Sequence, residues 1–262
     1  MTGGPVIDQA TIGGLSAALG LLLTAYIASR LALPRSASTR TRILFIWHSF
    51  DSLIHFLFEG SFLYNCFNVY LSTKDIAKHT YLTGKAPVEL YPAGVHFLGA
   101  KDRIYGSAYG TSPTARLWQE YAKADARWGG ADLTVVSLEL LTVLIGGPLS
   151  AYICYLMAKG HGDVGVASAS GKKSMGGKLS FWMIVLATGE LYGGFMTFAP
   201  EWLSGSANLD TSNFLYLYVY LAFFNLLWVF LPLYALKHAY SSLTSSSPVD
   251  SGTESAKAKK AS

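Results

Sequence analysis

Cysteine and charge are both scarce in this chain of 262 residues, and each scarcity excludes a class of protein. The two cysteines, Cys66 and Cys154, fall near opposite ends of separate apolar segments, too far apart to bridge, so no disulfide framework holds the fold. Charged residues make up 14% of the chain against 51% hydrophobic, and the mean hydropathy of +0.33 is high for a soluble domain. The net charge of +4 comes mostly from Lys and Arg in loops and tail, which speaks to membrane topology and not to nucleic acid. No internal repeat is visible.

Cofactor signatures are missing as well. The six histidines, at 48, 55, 79, 96, 161 and 238, contain no close H-x-x-x-H or H-x-x-H-H cluster, which starves a membrane di-iron site of ligands. A lone metal at His48, Asp51 and His55 is open on spacing, but paired carboxylates elsewhere suit acid–base chemistry better, and no metal is expected. Gly160, Gly162 and Gly165 fit G-x-G-x-x-G only formally: they follow an apolar segment and run into VASASGKKS, with no βαβ unit. That stretch reads as a flexible loop, and no cofactor is expected.

What the chain does have is long apolar runs. Five candidate spans, at about 10–33, 43–71, 133–157, 179–203 and 214–236, are each long enough to cross a hydrocarbon core of about 30 Å. The expected fold is therefore an all-α integral membrane bundle of five helices: one domain over residues 1–240, then a Ser-rich disordered tail over 241–262. Arg30, Arg35, Arg40 and Arg42 lie between the first two spans, and Lys159, Lys172, Lys173 and Lys178 between the third and fourth. The connection near Glu201 and Asp210 has no Lys or Arg. The positive-inside rule then sets the N-terminus in the lumen and the C-terminus in the cytosol. The first apolar segment is long and lacks a basic n-region, so it reads as a permanent anchor and not a cleaved signal. The chain's end, Lys259, Lys260, Ala261 and Ser262, resembles a dilysine signal for the endoplasmic reticulum membrane and agrees with that topology.

The long second loop, about 72–132, carries a local helix signal. Thr111 or Ser112 can cap it, Pro113 fits its first turn, and Leu117, Glu120, Tyr121, Ala124 and Trp128 share a face before Gly129 and Gly130 end it. Such an amphipathic helix would lie on or dip into the mouth of the bundle.

Ionisable residues inside the spans carry the functional signal. His48, Asp51, His55 and Glu59 fall within roughly 80° of one another on a helix, so one face of an apolar segment is charged. Such groups at membrane depth normally face a protein interior or wet cavity and mark a functional site. The other spans add Glu139, which shares a face with Thr142 and Gly146, then Glu190, and Asn225, which shares a face with Tyr218, Trp228 and Pro232. Any single Glu or Asn here is as readily interhelical glue as a site; their joint presence points to a pocket.

A carboxyl held among aromatic and aliphatic side chains disfavours its charged form and serves as a general acid, while a second carboxylate or a His takes a proton back. Acid and base across an apolar pocket suffice to move a carbon–carbon double bond without a cofactor, through a carbocation. Trp228, Tyr218 or Trp118 would stabilise that cation through their ring faces, and Asn225 would orient a carboxyl or a substrate hydroxyl.

HFLFEG (His55–Gly60), LWQEYAKADARW (Leu117–Trp128), Glu139 followed by GPLS (Gly147–Ser150), ELYG (Glu190–Gly193) and FFNLLWVFLP (Phe223–Pro232) together resemble the emopamil-binding protein family. The resemblance runs in order over about four spans and the loop helix. That family contains the sterol Δ8 to Δ7 isomerase of the endoplasmic reticulum. The resemblance implies a five-helix EXPERA-type bundle with a sterol cavity open to the bilayer, in which the Δ8 alkene is protonated and C7 loses a proton. It implies catalytic roles for His55, Glu59, Glu120, Asn225 and Trp228. Glu59 and Glu120 would be the proton-transfer pair, with His55 assisting, Trp228 facing the cation and Asn225 holding the network. Glu139, Glu190, Tyr218, Trp118, Tyr121 and Tyr192 would line the substrate pocket.

The chain departs from the family pattern in its longer loop over 71–111, in Gly146 where a Trp precedes GPLS, and in Ser61 after the EG pair. The substrate therefore stays open between a sterol and another polycyclic terpenoid, isomerised or cyclised. A non-catalytic lipid-binding protein of the sigma-2 receptor type is the alternative, against which the block containing Glu120 weighs. The expected partners are a sterol and the lipid bilayer; a homodimer is left open.

Overall fold

The computed structural model describes residues 7–87, 90–161 and 176–245. Helix α1 (Gln9–Ala32) starts at a capping box: the Asp8 carboxylate accepts the Thr11 N–H at 2.9 Å. Ser38 caps α2 (Thr39–Leu53), which runs without a break through a π-helical segment, Ile54–Glu59, into α3 (Gly60–Asn68). The chain then turns extended at Val69. The strand β1 (Tyr70–Ser72) precedes α4 (Ile76–Thr83) and pairs antiparallel with β2 (Arg103–Tyr105), Tyr70 opposite Tyr105. Helical structure in this second stretch thus stops at Asn68 and not near 71, because the chain pairs there with the returning loop.

Helix α5 (Pro113–Tyr121) is capped by Ser112, as its sequence predicts, but stops well short of Gly129. Two groups pull the chain away. Asp125 bridges to Leu209 and accepts from the Arg127 guanidinium at 2.6 and 2.9 Å, while Arg127 also donates to the Thr197 carbonyl at 2.8 Å. A buried ion pair with backbone anchors at Thr197 and Leu209 replaces the last helical turn, and Ala126–Gly129 forms a 3-10 turn.

Asp132 caps α6 (Leu133–Leu141), which passes through a second π-helical segment, Thr142–Gly146, into α7 (Gly147–Leu156). Helix α8 (Gly177–Leu203) and a third π-helical segment, Leu215–Phe224, followed by α9 (Asn225–Ser245), are the last described elements. Four helical stretches are long and apolar enough to cross a membrane: Gln9–Ala32, Leu133–Gly160, Gly177–Leu203 and Leu215–Thr244. The stretch from Thr39 to Asn68 is as long but carries the ionisable residues.

Residues 241–245, expected in a disordered tail, are still helical, because Ala235, Ala239 and Ser242 are buried on the face of α9 turned to the bundle. The dilysine-like end and two of the three formal G-x-G-x-x-G glycines, Gly162 and Gly165, lie outside the described residues.

Two apolar clusters close the ends of the molecule. Leu44, Phe45, Ile153, Met157, Leu179, Met183 and Ala239 form one. At the other, Phe62, Cys66, Phe97, Trp118, Trp128 and Val135 bind the long loop down, with Trp118 and Trp128 stacked at 4.8 Å. Between them the helices part around a cavity, while Leu19, Leu23, Leu144, Phe181 and Phe230 turn apolar side chains outward, a surface suited to lipid.

Candidate active site

A π-helical turn is a local insertion in an α-helix and is frequent at functional sites. Two such turns face each other here. In one, Gly60 N–H reaches back five residues to the His55 carbonyl; in the other, Gly147 N–H reaches back five to that of Thr142. The approach is tight. A Cβ at Gly146 would stand 3.3 Å from His55 Nε2, and one at Gly147 would stand 3.2 Å from His55 Cβ. Gly146, where the family resemblance leads one to expect Trp, is therefore where the imidazole is seated.

His55 lies between two carboxylates of its own helix: Nδ1 is 2.5 Å from Glu59 Oε2 and Nε2 is 3.1 Å from Asp51 Oδ1. Thr142 Oγ1 then lies 2.6 Å from Glu59 Oε2 and 2.8 Å from Glu139 Oε2. The fully buried Asp51 also accepts the Trp228 indole N–H at 2.8 Å and the Ser150 hydroxyl at 2.5 Å. Glu190 is buried on the same cavity near Asp51, and neither of its carboxyl oxygens accepts a hydrogen bond among the described residues.

The cavity has a volume of about 960 Å³, at the upper end of small-molecule pockets. His55, Glu59, Glu139, Thr142, Glu190 and Trp228 line one part. Trp118, Tyr121, Trp128, Tyr220 and Asn225 line another, and Gly189, Gly193 and Gly194 leave open space between the lining side chains of α8. The loop helix therefore supplies part of the lining and does not merely rest on the mouth.

Glu120 also borders the cavity, but with different partners. It accepts from Thr11 Oγ1 at 2.7 Å and Tyr220 Oη at 2.9 Å, and it is salt-bridged to Lys123. Lys123 continues to Asp8 at 2.9 Å. Burial works against the Lys123 charge, but Glu120 and Asp8 outweigh it and raise its pKa; the Thr11 N–H and then Lys123 hold the Asp8 carboxyl well below its usual range. Glu59, expected to pair with Glu120 in proton transfer, is joined through Thr142 to Glu139, while Glu120 reaches the same cavity from a separate network. Glu120 is committed to tying α5 to the start of α1 and to the last membrane-length helix.

Asn225 donates to the Tyr121 hydroxyl at 3.1 Å and to two carbonyls of the preceding π-helical segment, holding its end in place. Tyr218 does not share its face. It is 56% exposed and absent from the cavity lining, because the i→i+5 winding of Leu215–Phe224 removes the seven-residue face that an α-helix would give it with Asn225. Trp118 sits on the cavity and donates to Ser61 Oγ at 2.9 Å; Tyr192 lies on its exposed rim. Ser150 and Tyr220 are not among the expected site residues, and Asp51, although on the expected charged face, carries no expected catalytic or binding role. Asp51 was visible four positions before His55, one helical turn away.

The fold and site define a helical membrane protein with a carboxyl-rich centre in an apolar cavity. Residues 113–239 match the family described as EXPERA (EXPanded EBP superfamily). The chain is 29% identical to a 3-beta-hydroxysteroid-Delta(8),Delta(7)-isomerase of Cavia porcellus over 45% of each chain. It is 28% identical to a probable enzyme of the same name from Arabidopsis thaliana, over 76% of this chain and 65% of that one. An isomeliandiol synthase of Ailanthus altissima is 25% identical over 73% of this chain and 65% of its own. The matches to these relatives thus span 45% to 65% of their length. By this match and by these relatives, the chain is similar to the emopamil-binding protein family.

Proposed function

We propose that the protein is a cofactor-independent isomerase that moves the Δ8 double bond of a sterol to Δ7, with Glu139 as acid and Glu59 as base. The observation that carries this reading is the single Thr142 hydroxyl between the two carboxyls. One hydroxyl has one proton to give. Glu59 Oε2 already accepts from His55 and is the natural anion, so Thr142 donates to it and accepts from a protonated Glu139. An acid and a base are then joined by a relay, beside an apolar cavity.

In the reaction, the Glu139 proton adds to C9 of the Δ8 alkene and leaves a cation at C8. Trp228, on the cavity wall and fixed by its N–H, turns ring density toward that charge. Glu59 removes a proton from C7, the Δ7 bond forms, and Thr142 passes a proton from Glu59 back to Glu139. No redox change occurs. Glu120 borders the substrate from the opposite network, and Tyr121, Trp118, Tyr192 and Glu190 contact it.

The relatives named as Delta(8),Delta(7)-isomerases support the substrate class. The relative named isomeliandiol synthase, together with a cavity of about 960 Å³, supports a second reading in which another polycyclic terpenoid is rearranged by the same proton transfers. The setting we infer is the endoplasmic reticulum membrane. The domain over 1–240 crosses it five times with Thr39–Asn68 as the second span, the N-terminus lumenal and the basic loops cytosolic.

The test is incubation of membranes containing the protein with a Δ8 sterol in deuterated water. A Δ7 isomer is expected, carrying a solvent deuterium at C9 where the carboxyl pair exchanges its proton with water between turnovers. Absence of the Δ7 product would refute the sterol reading.

A further inference from the structure

The buried carboxylate of Asp51 is outside the proton relay, yet it holds three elements at once. Its Oδ1 accepts His55 Nε2 at 3.1 Å and Trp228 Nε1 at 2.8 Å, and its Oδ2 accepts Ser150 Oγ at 2.5 Å. With no exposure to solvent, it is matched by donors from its own helix, from α7 and from α9. A buried carboxylate without such donors is costly, so the three contacts form an interdependent unit.

We propose that Asp51 is a positioning residue of the reaction: one carboxylate that orients both the imidazole behind the base and the indole facing the cation. The argument is geometric. His55 donates Nδ1–H to Glu59, so an acceptor at Nε2 requires the doubly protonated ring and fixes its rotation. The ring is then committed to Glu59 and cannot serve as a competing base. Trp228 has one donor, and its bond to Asp51 fixes which face the ring turns to the cavity. Trp47, packed edge-on at 5.3 Å, and Phe50 at 6.2 Å then hold the indole from other sides. Ser150 anchors the second oxygen, so the carboxylate cannot swing away from either partner. The role attributed to Asp51 rests on the isomerase reading; the contacts themselves do not.

The experiment compares wild type with Asp51→Asn and Ser150→Ala, on the full chain in detergent or nanodiscs. Kinetics on the Δ8 sterol are read together with ¹⁵N-histidine NMR, the His55 resonance being assigned by its loss in His55→Ala. Asn retains the size of Asp51 and one acceptor oxygen but not the charge. Asp51→Asn is expected to lower kcat about 100-fold with KM within about threefold, and to move the His55 nitrogens away from the doubly protonated signature. Ser150→Ala, which removes only the outer anchor, is expected to lower kcat about 10-fold, with a smaller NMR shift.

Undiminished kcat in Asp51→Asn, or a His55 resonance unchanged in both variants, overturns the proposal. So does a loss confined to KM. Should Asp51→Asn fail to fold, Ser150→Ala decides by the same two readouts. A wild type without turnover overturns the isomerase reading and with it the catalytic role of Asp51. The NMR arm separately decides whether Asp51 fixes His55.

Discussion

Glu59 and Glu139, on different helical stretches, share one hydroxyl: Thr142 Oγ1 lies 2.6 Å from the first carboxyl and 2.8 Å from the second. The first prediction comes from that bridge. Thr142→Val keeps the branched shape and removes the relay, so proton return slows while substrate still binds. A fall in kcat of roughly 10- to 100-fold is expected, with Thr142→Ser restoring most of it. Steady-state kinetics on the three proteins check this; equal rates in Val and wild type would remove Thr142 from the mechanism.

The two carboxyl networks predict different losses. Glu59→Gln and Glu139→Gln remove base and acid and are expected to lower kcat by about 10²- to 10⁴-fold. Glu120→Gln weakens the seam of Thr11, Tyr220 and Lys123. Its main effect is expected on stability, about 1–3 kcal/mol, with a smaller loss of kcat than either of the others. Thermal melting and kinetics on the same preparations separate the two outcomes; a kcat loss in Glu120→Gln equal to that in Glu59→Gln would return Glu120 to the proton-transfer pair.

Much of this was legible in the sequence. Apolar runs located the helices, because a membrane demands length and hydrophobicity that no other context requires. The face carrying Asp51, His55 and Glu59 was legible because charged groups in such a run must turn inward. The partnership across helices was harder to see. Thr142 stands three residues after Glu139, so its contact with that residue follows from helical spacing, but its approach to Glu59 depends on two π-helical turns meeting, with glycines at 146 and 147 making room. No periodicity predicts a π turn, and the same effect misplaced Tyr218. Glu120 shares a motif with the aromatic residues lining the cavity, and only the fold shows that its carboxyl is taken by Thr11, some hundred positions earlier in the chain.

The glycines of α8 predict substrate size. Gly189, Gly193 and Gly194 border the cavity, and a Cβ added at any of them meets nothing within 4 Å. Substitution there fills space without steric conflict at the backbone. Gly193→Ala is expected to fold at least as well as wild type, since Gly weakens a helix by about 1 kcal/mol relative to Ala. Gly193→Leu is expected to raise KM for a tetracyclic sterol roughly tenfold while leaving the acid and base in place. Competition between a bulky and a slimmer Δ8 substrate checks this, and an unchanged preference in the Leu variant would mean that the substrate does not lie against α8.

Asp8 predicts an acid limit on stability. It caps α1 through the Thr11 N–H and pairs with Lys123, and these contacts hold its pKa below the ordinary 3.8. A carboxyl with a lowered folded-state pKa contributes fully above its unfolded value and loses that contribution as pH falls toward the folded one. Asp8→Ala should therefore cost about 1 kcal/mol at pH 7, as loss of a helix cap does. The difference from wild type should shrink only below about pH 4. Melting curves of both proteins in detergent from pH 7 to pH 3 measure this. A gap independent of pH would mean that Asp8 acts through its shape and not its charge, whereas a gap that closes on acidification would tie the start of α1, and through Lys123 the seam at Glu120, to one ionised carboxylate.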